Sequence, residues 1–144
     1  MLHSKGFTFI ETLLTLTMLT VIAGIGVPIF QSLQVNNDLN IATNTLVQSL
    51  RKAQTHAQAV DGDKNWGVYI QNQNIIIFKG SSYAERDIDF GESFTFPSSI
   101  TFTGLSEILF SRFSGETQNI GTITLTTPNA SKQITINSKG VITY

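Results

Sequence analysis

Three hydropathy patterns follow one another along the chain. From Thr12 to Asn37, 26 residues pass without a formal charge, and most are apolar. Crossing a bilayer takes about 20 mostly apolar residues, so this run is long enough to span one. Polarity then rises, and Leu39, Ala42, Leu46, Leu50, Ala53, Ala57 and Val60 recur at steps of 3, 4, 4, 3, 4 and 3. That period belongs to a helix with one apolar stripe. Nothing interrupts it before Asp61-Gly62-Asp63, so the simplest reading is one helix from about Phe7 to about Val60. Gly24, Gly26 and Pro28 are the positions expected to loosen it, because glycine stiffens a helix least and proline removes a helix hydrogen bond.

Beyond Asp61 the period becomes two. Trp66 to Ile70 and Ile75 to Phe78 are predicted strands joined by Gln71-Asn72-Gln73-Asn74. Gly80 to Gly91 carries Glu85, Arg86, Asp87 and Asp89 and is predicted to be a solvated loop. Ser93 to Phe96, Ile100 to Phe102 and Ile108 to Phe113 follow as shorter strands. The clearest alternation is last: Thr122 to Thr126, a turn at Pro128 to Ser131, Gln133 to Asn137, a turn at Ser138-Lys139-Gly140, then Val141 to Tyr144. Ile123, Leu125, Ile134 and Ile136 are expected to face the helix, with threonines outward. The fold class is therefore α+β: a long N-terminal helix, transmembrane in its first half and amphipathic in its second, packed on an antiparallel β-sheet head. Four consecutive apolar residues, Ile75 to Phe78, are too many for a strand with one wet face. Either both faces are covered or one docks another subunit.

Composition narrows the chemistry. Nine Lys and Arg against ten Asp and Glu give a net charge of −1 in 144 residues, so the global balance attracts neither nucleic acid nor anionic lipid. The absence of cysteine excludes disulfides, thiolate metal sites and a cysteine nucleophile. His3 and His56 are the two histidines, and His56 reads as a surface or rim residue. No G-x-S-x-G elbow, H-E-x-x-H pair or phosphate-binding glycine loop is present, and the chain is not read as an enzyme or as a cofactor binder. Asp61, Asp63 and Asn65 place oxygens at alternate positions, as a calcium loop begins. Trp66 then stands where such a loop needs glycine and Asn72 where it needs glutamate, so these are weak metal candidates and a polar turn is the favoured reading. Asn129-Ala130-Ser131 matches a glycosylation acceptor but reads as a plain hairpin turn.

The glutamate at position 11 separates the readings of the first thirty residues. A secretory signal has a shorter apolar run and a small-residue cut site. The nearest such site, Ala23 to Gly26, lies inside the run. A simple anchor would leave Glu11 at headgroup level. The stretch Lys5-Gly6-Phe7-Thr8-Phe9-Ile10-Glu11 resembles the leader junction of type IV prepilins and type II secretion pseudopilins. The later segments "WGVYI", "IIIFKG", "ILFSRFSGE" and "GTITLTTPNASKQITINSKGVITY" are similar to the minor-subunit branch typified by GspH and FimT.

That resemblance implies a leader at residues 1–6, cut by prepilin peptidase between Gly6 and Phe7, with N-methylation of Phe7. It implies a filament-core helix at 7–30, its amphipathic continuation at 31–60 and a β-rich head at 61–144. Glu11 takes the role of the family's assembly glutamate, meeting the α-amino group of a neighbour's Phe7, and Pro28 stands where many pilins have a helix-loosening proline. The implied partners are the peptidase, other major and minor pilins or pseudopilins, and an inner-membrane assembly platform. The implied location is a single-pass cell membrane with an extracytoplasmic head, then the filament or its tip. The alternative is a DNA-binding minor pilin acting in natural transformation. The arginine-rich tail that such pilins use is missing from Gly140 to Tyr144, so direct nucleic-acid binding is disfavoured; Lys79, Arg86, Arg112, Lys132 and Lys139 are the basic residues that would have to supply it.

Overall fold

The computed structural model describes the backbone of residues 6–144 and, apart from 26–29, their side chains. The chain divides into two units, Met1–Gln34 and Val35–Tyr144. Helix α1 (Phe9–Gln58) contributes to both. Eight strands follow: β1 (Trp66–Gln71), β2 (Asn74–Gly80), β3 (Arg86–Thr95), β4 (Thr101–Gly104), β5 (Glu107–Phe110), β6 (Gly121–Thr126), β7 (Ser131–Ile136) and β8 (Ile142–Thr143). They form two four-stranded sheets, ordered β3-β2-β1-β5 and β4-β6-β7-β8, with antiparallel pairing throughout.

In the second unit the helix stripe is the floor of the core. Leu39, Ala42, Leu46, Leu50, Ala53 and Ala57 are buried as their spacing predicts, and Val47 joins them. They share one cluster with Val68, Ile75, Ile77 and Ile108 of the first sheet and with Ile123, Leu125, Ile134 and Ile136 of the second. The alternating threonine strands thus turn their branched apolar residues inward, as expected from period two. Alanines at three of the stripe positions keep that face of the helix slim where it meets the strands. Thr43 is buried among them and its hydroxyl donates to the Leu39 carbonyl at 2.7 Å, so no polar group is left unmatched there.

Two expectations are corrected. Val60 is not part of the stripe: α1 ends at Gln58, and Val60 lies beyond it in a left-handed conformation (φ 57°). It opens the tight turn Asp61–Asp63, and the helical period simply outlasts the helix. The stretch from Gly80 to Gly91 is not wholly a loop, because Arg86 to Gly91 belongs to β3. Its charges misled because an edge strand needs no buried face: β3 is exposed over most of its length and gains its order from backbone pairing to β2.

The run Ile75 to Phe78 is covered on both faces. Ile75 and Ile77 enter the core. Phe78 is also fully buried, on the opposite face, where Tyr83 meets it edge-on at 5.8 Å and stacks on Tyr69 at 3.9 Å. The Tyr83 amide is held by Glu107 Oε1 at 2.9 Å. Gly67 makes room for this arrangement, since a Cβ there would lie 2.6 Å from the Phe78 ring and 2.7 Å from the Ile108 carbonyl oxygen.

Candidate functional site: the helix entry and the head surface

Thr8, Phe9, Ile10 and Glu11 build the start of α1. The Thr8 amide donates to Glu11 Oε2, and the Glu11 amide donates to Thr8 Oγ1, each at 3.3 Å. This reciprocal pair is a capping box: a threonine, two intervening residues and a glutamate satisfy donors that a helix start otherwise leaves open. Glu11 also places its negative charge at the positive end of the helix dipole. The T-x-x-E signal stands in the sequence, so the capping role of Thr8 is legible there beside the charge of Glu11.

From Phe9 to Ile25 the apolar side chains are exposed in succession: Phe9, Ile10, Leu13, Leu14, Leu16 and Met18, then Leu19, Val21, Ile22 and Ile25. Steps of 1, 3, 1, 2 and 2 carry them round the whole circumference, the pattern of a helix that is apolar on every side. Four threonines lie among them, and each returns its hydroxyl to a carbonyl of its own helix. Thr12 bonds Phe9, Thr15 bonds Thr12, Thr17 bonds Leu13 and Leu14, and Thr20 bonds Leu16 and Thr17, at 2.7–3.1 Å. In hydrocarbon a free hydroxyl is costly. These are already satisfied, and α1 is long and apolar enough to cross a membrane.

Gly6 and Phe7 precede the helix and are exposed; residues 1–5, with Lys5 and the rest of the proposed leader, lie outside the described residues. Gly24 is helical with open space around it. The side chain of Pro28 and the surroundings of Gly26 lie outside the described residues, and α1 runs through both positions.

On the head, the weak metal candidates are engaged by other side chains and backbone, Asp61 by His56 and both Asp63 and Asn65 by Arg112. Asp61 Oδ2 meets His56 Nδ1 at 2.8 Å, and Asn65 Oδ1 accepts the Arg112 amide at 2.9 Å. They organise the turn after the helix, helped by Trp66, whose indole donates to the Asp61 carbonyl at 2.9 Å and stacks on His56. Among the described residues no cluster of three or more His, Asp or Glu is arranged to hold a metal. The basic residues are similarly dispersed. Lys139 pairs with Glu116 at 2.5 Å, Arg86 lies over the Tyr83 ring, and Lys79 is buried with its ammonium over Phe90. Lys132 sits on β7, where it is exposed.

The architecture matches that of a solved structure, the minor pseudopilin EpsH from the type 2 secretion system of Vibrio cholerae. The match has a TM-score of 0.57 at 14% identity and covers 74% of this chain and 94% of that one. The chain has a pilin/pseudopilin-type fold. No family model and no curated protein matches the sequence. At this identity the likeness lies in how a helix and two antiparallel sheets are arranged.

Proposed function

We propose that this chain is the precursor of a minor pilin or pseudopilin, a structural and assembly subunit of a type IV pilus or type II secretion filament. The observation that carries the reading is the junction Lys5-Gly6-Phe7-Thr8-Phe9-Ile10-Glu11 opening directly onto an exposed, all-round apolar helix, in a chain whose fold is like that of a solved minor pseudopilin. In this reading prepilin peptidase cuts between Gly6 and Phe7 and Phe7 is N-methylated. The helix holds the subunit in the cell membrane with the head outside the cytoplasm, and then packs among neighbouring subunits as the assembly platform adds it to the filament. Glu11 pairs with the α-amino group of a neighbour's Phe7, a contact that gains strength where water is excluded. Gly24, Gly26 and Pro28 allow the helix to adjust as it packs. The head contacts other minor subunits. The dispersal of Lys79, Arg86, Arg112 and Lys139 among internal partners argues against a phosphate-tracking surface.

The test is intact mass with N-terminal fragmentation of membrane-extracted protein made with and without a prepilin peptidase. A peptidase-dependent form that begins at N-methyl-Phe7 is expected. An uncut form, or cleavage after Ala23, overturns the proposal.

A further inference from the structure

Strand β3 is an open edge of the first sheet. The Phe96 amide donates to the Gln73 carbonyl at 2.8 Å. In an antiparallel ladder the bonding direction alternates, so the pairs Ile75–Phe94 and Ile77–Glu92 turn their amides toward β2. Gly91, Ser93 and Thr95 then turn theirs to the free side. Before this regular stretch the register breaks: Phe78 pairs with Gly91 and Gly80 with Arg86, so Asp87 to Phe90 on β3 stand opposite Lys79 alone. Such bulges at an edge re-aim side chains. Here the bulge lifts Ile88 to 87% exposure, with Phe90 at 49% and Phe94 at 37% along the same strand. An open cleft of about 340 Å³ adjoins it, with Trp66, Ile77 and Phe90 as its apolar part.

The charges select the occupant. Asp87 and Asp89 flank Ile88, and among the described residues neither is in an ion pair, whereas Glu92 is neutralised by Lys52 at 2.5 Å. The nearby cations are already engaged: Arg86 lies over Tyr83, and Lys79 faces inward onto Phe90. A second copy of β3 would bring the same carboxylates at Asp87 and Asp89 and no free cation to meet them. A free ladder, exposed apolar side chains and two unpaired carboxylates together suit an extended segment with the opposite charge.

We infer that β3 is a docking edge for a β-strand of another subunit, one that alternates apolar residues with lysine or arginine. Its backbone completes the ladder at Gly91, Ser93 and Thr95. Its apolar residues cover Ile88, Phe90 and Phe94, and its basic residues meet Asp87 and Asp89. Main-chain bonds supply affinity and the side chains supply selectivity, as in other strand additions. The inference deepens the assembly reading by naming what the head grips.

The experiment uses the full chain in detergent micelles, with a ten-residue capped peptide alternating valine with lysine and threonine, and a control carrying glutamate for lysine. Expected are amide-exchange protection at Ser93 and Thr95, at least tenfold weaker binding of the control, and reversal of that preference in the Asp87→Lys/Asp89→Lys double variant. Asp89 is exposed and Asp87 half-buried, and both lie outside the core cluster. Absence of protection, equal binding of the two peptides, or unchanged preference in the double variant overturns the inference. The assay needs neither leader cleavage nor a filament, so its failure is distinguishable from failure of the proposed function.

Discussion

Glu11 has a local duty and a proposed distant one, and substitution can divide them. Glutamine also completes a capping box, so Glu11→Gln keeps the helix start and removes the charge. Thr8→Ala keeps the charge and removes the cap, at a cost of about 1 kcal/mol. If the carboxylate pairs with a neighbour's amine, Glu11→Gln inserts normally yet is absent from sheared filament fractions, whereas Thr8→Ala is incorporated. Equal incorporation of both variants would reduce Glu11 to a cap. A second prediction at this scale concerns Lys139. The hydrogen bond that Lys139 donates to Glu116, and then the opposite charge of that carboxylate, hold the Lys139 ammonium above its ordinary value of 10.5. A group that holds its proton more tightly when folded stabilises the fold fully below its unfolded pKa and loses that contribution as pH rises through the folded one. The pair's contribution is therefore intact at neutral pH and fades above about 10.5. Thermal melts of Lys139→Gln and the parent chain should differ most on the neutral side and converge at high pH.

Among the elements, β1 and β2 show most directly how a sequence can be read and where reading stops. Gly67 lies under the Phe78 ring, so Gly67→Val overpacks a filled site. It should destabilise the head by about 1–3 kcal/mol, read as a lower denaturation midpoint in urea. Leu46→Ala, in the middle of the helix stripe, should cost about 2–5 kcal/mol by the same measurement. The stripe itself was legible because a 3.6-residue period with no breaker has few competing explanations. The strands from Gly121 onward were legible because Gly- and Pro-bounded alternation fixes both register and face. Of strand β3 only the end from Ser93 was legible: the order of its first part comes from the partner strand, and Arg86, Asp87 and Asp89 look the same in a loop as on an exposed edge. Tyr83, which covers Phe78, was equally hidden, since nothing local to Ser81-Ser82-Tyr83 says which ring it will meet. At the site, the T-x-x-E cap could be read and the open edge could not, because an edge is a property of strand order.

On the scale of the whole molecule, membrane insertion should be tolerant of apolar exchange and intolerant of charge. Leu19→Arg places a guanidinium within the apolar run, where insertion scales assign about 2.5–3.5 kcal/mol to a charge at the helix centre. Carbonate extraction should move that variant toward the soluble fraction, while Leu19→Ile stays in the membrane. The self-bonded threonines of this helix carry a broader consequence. With every hydroxyl from Thr12 to Thr20 returned to its own backbone, exchanging lipid tails for a neighbouring apolar helix breaks no hydrogen bond and trades one set of dispersion contacts for another. Such an exchange is close to thermoneutral. If the proposed assembly holds, the Thr12–Thr20 segment acts as a passenger with little preference of its own between bilayer and helix bundle, and contacts outside it, the Glu11 pair among them, set the direction of travel.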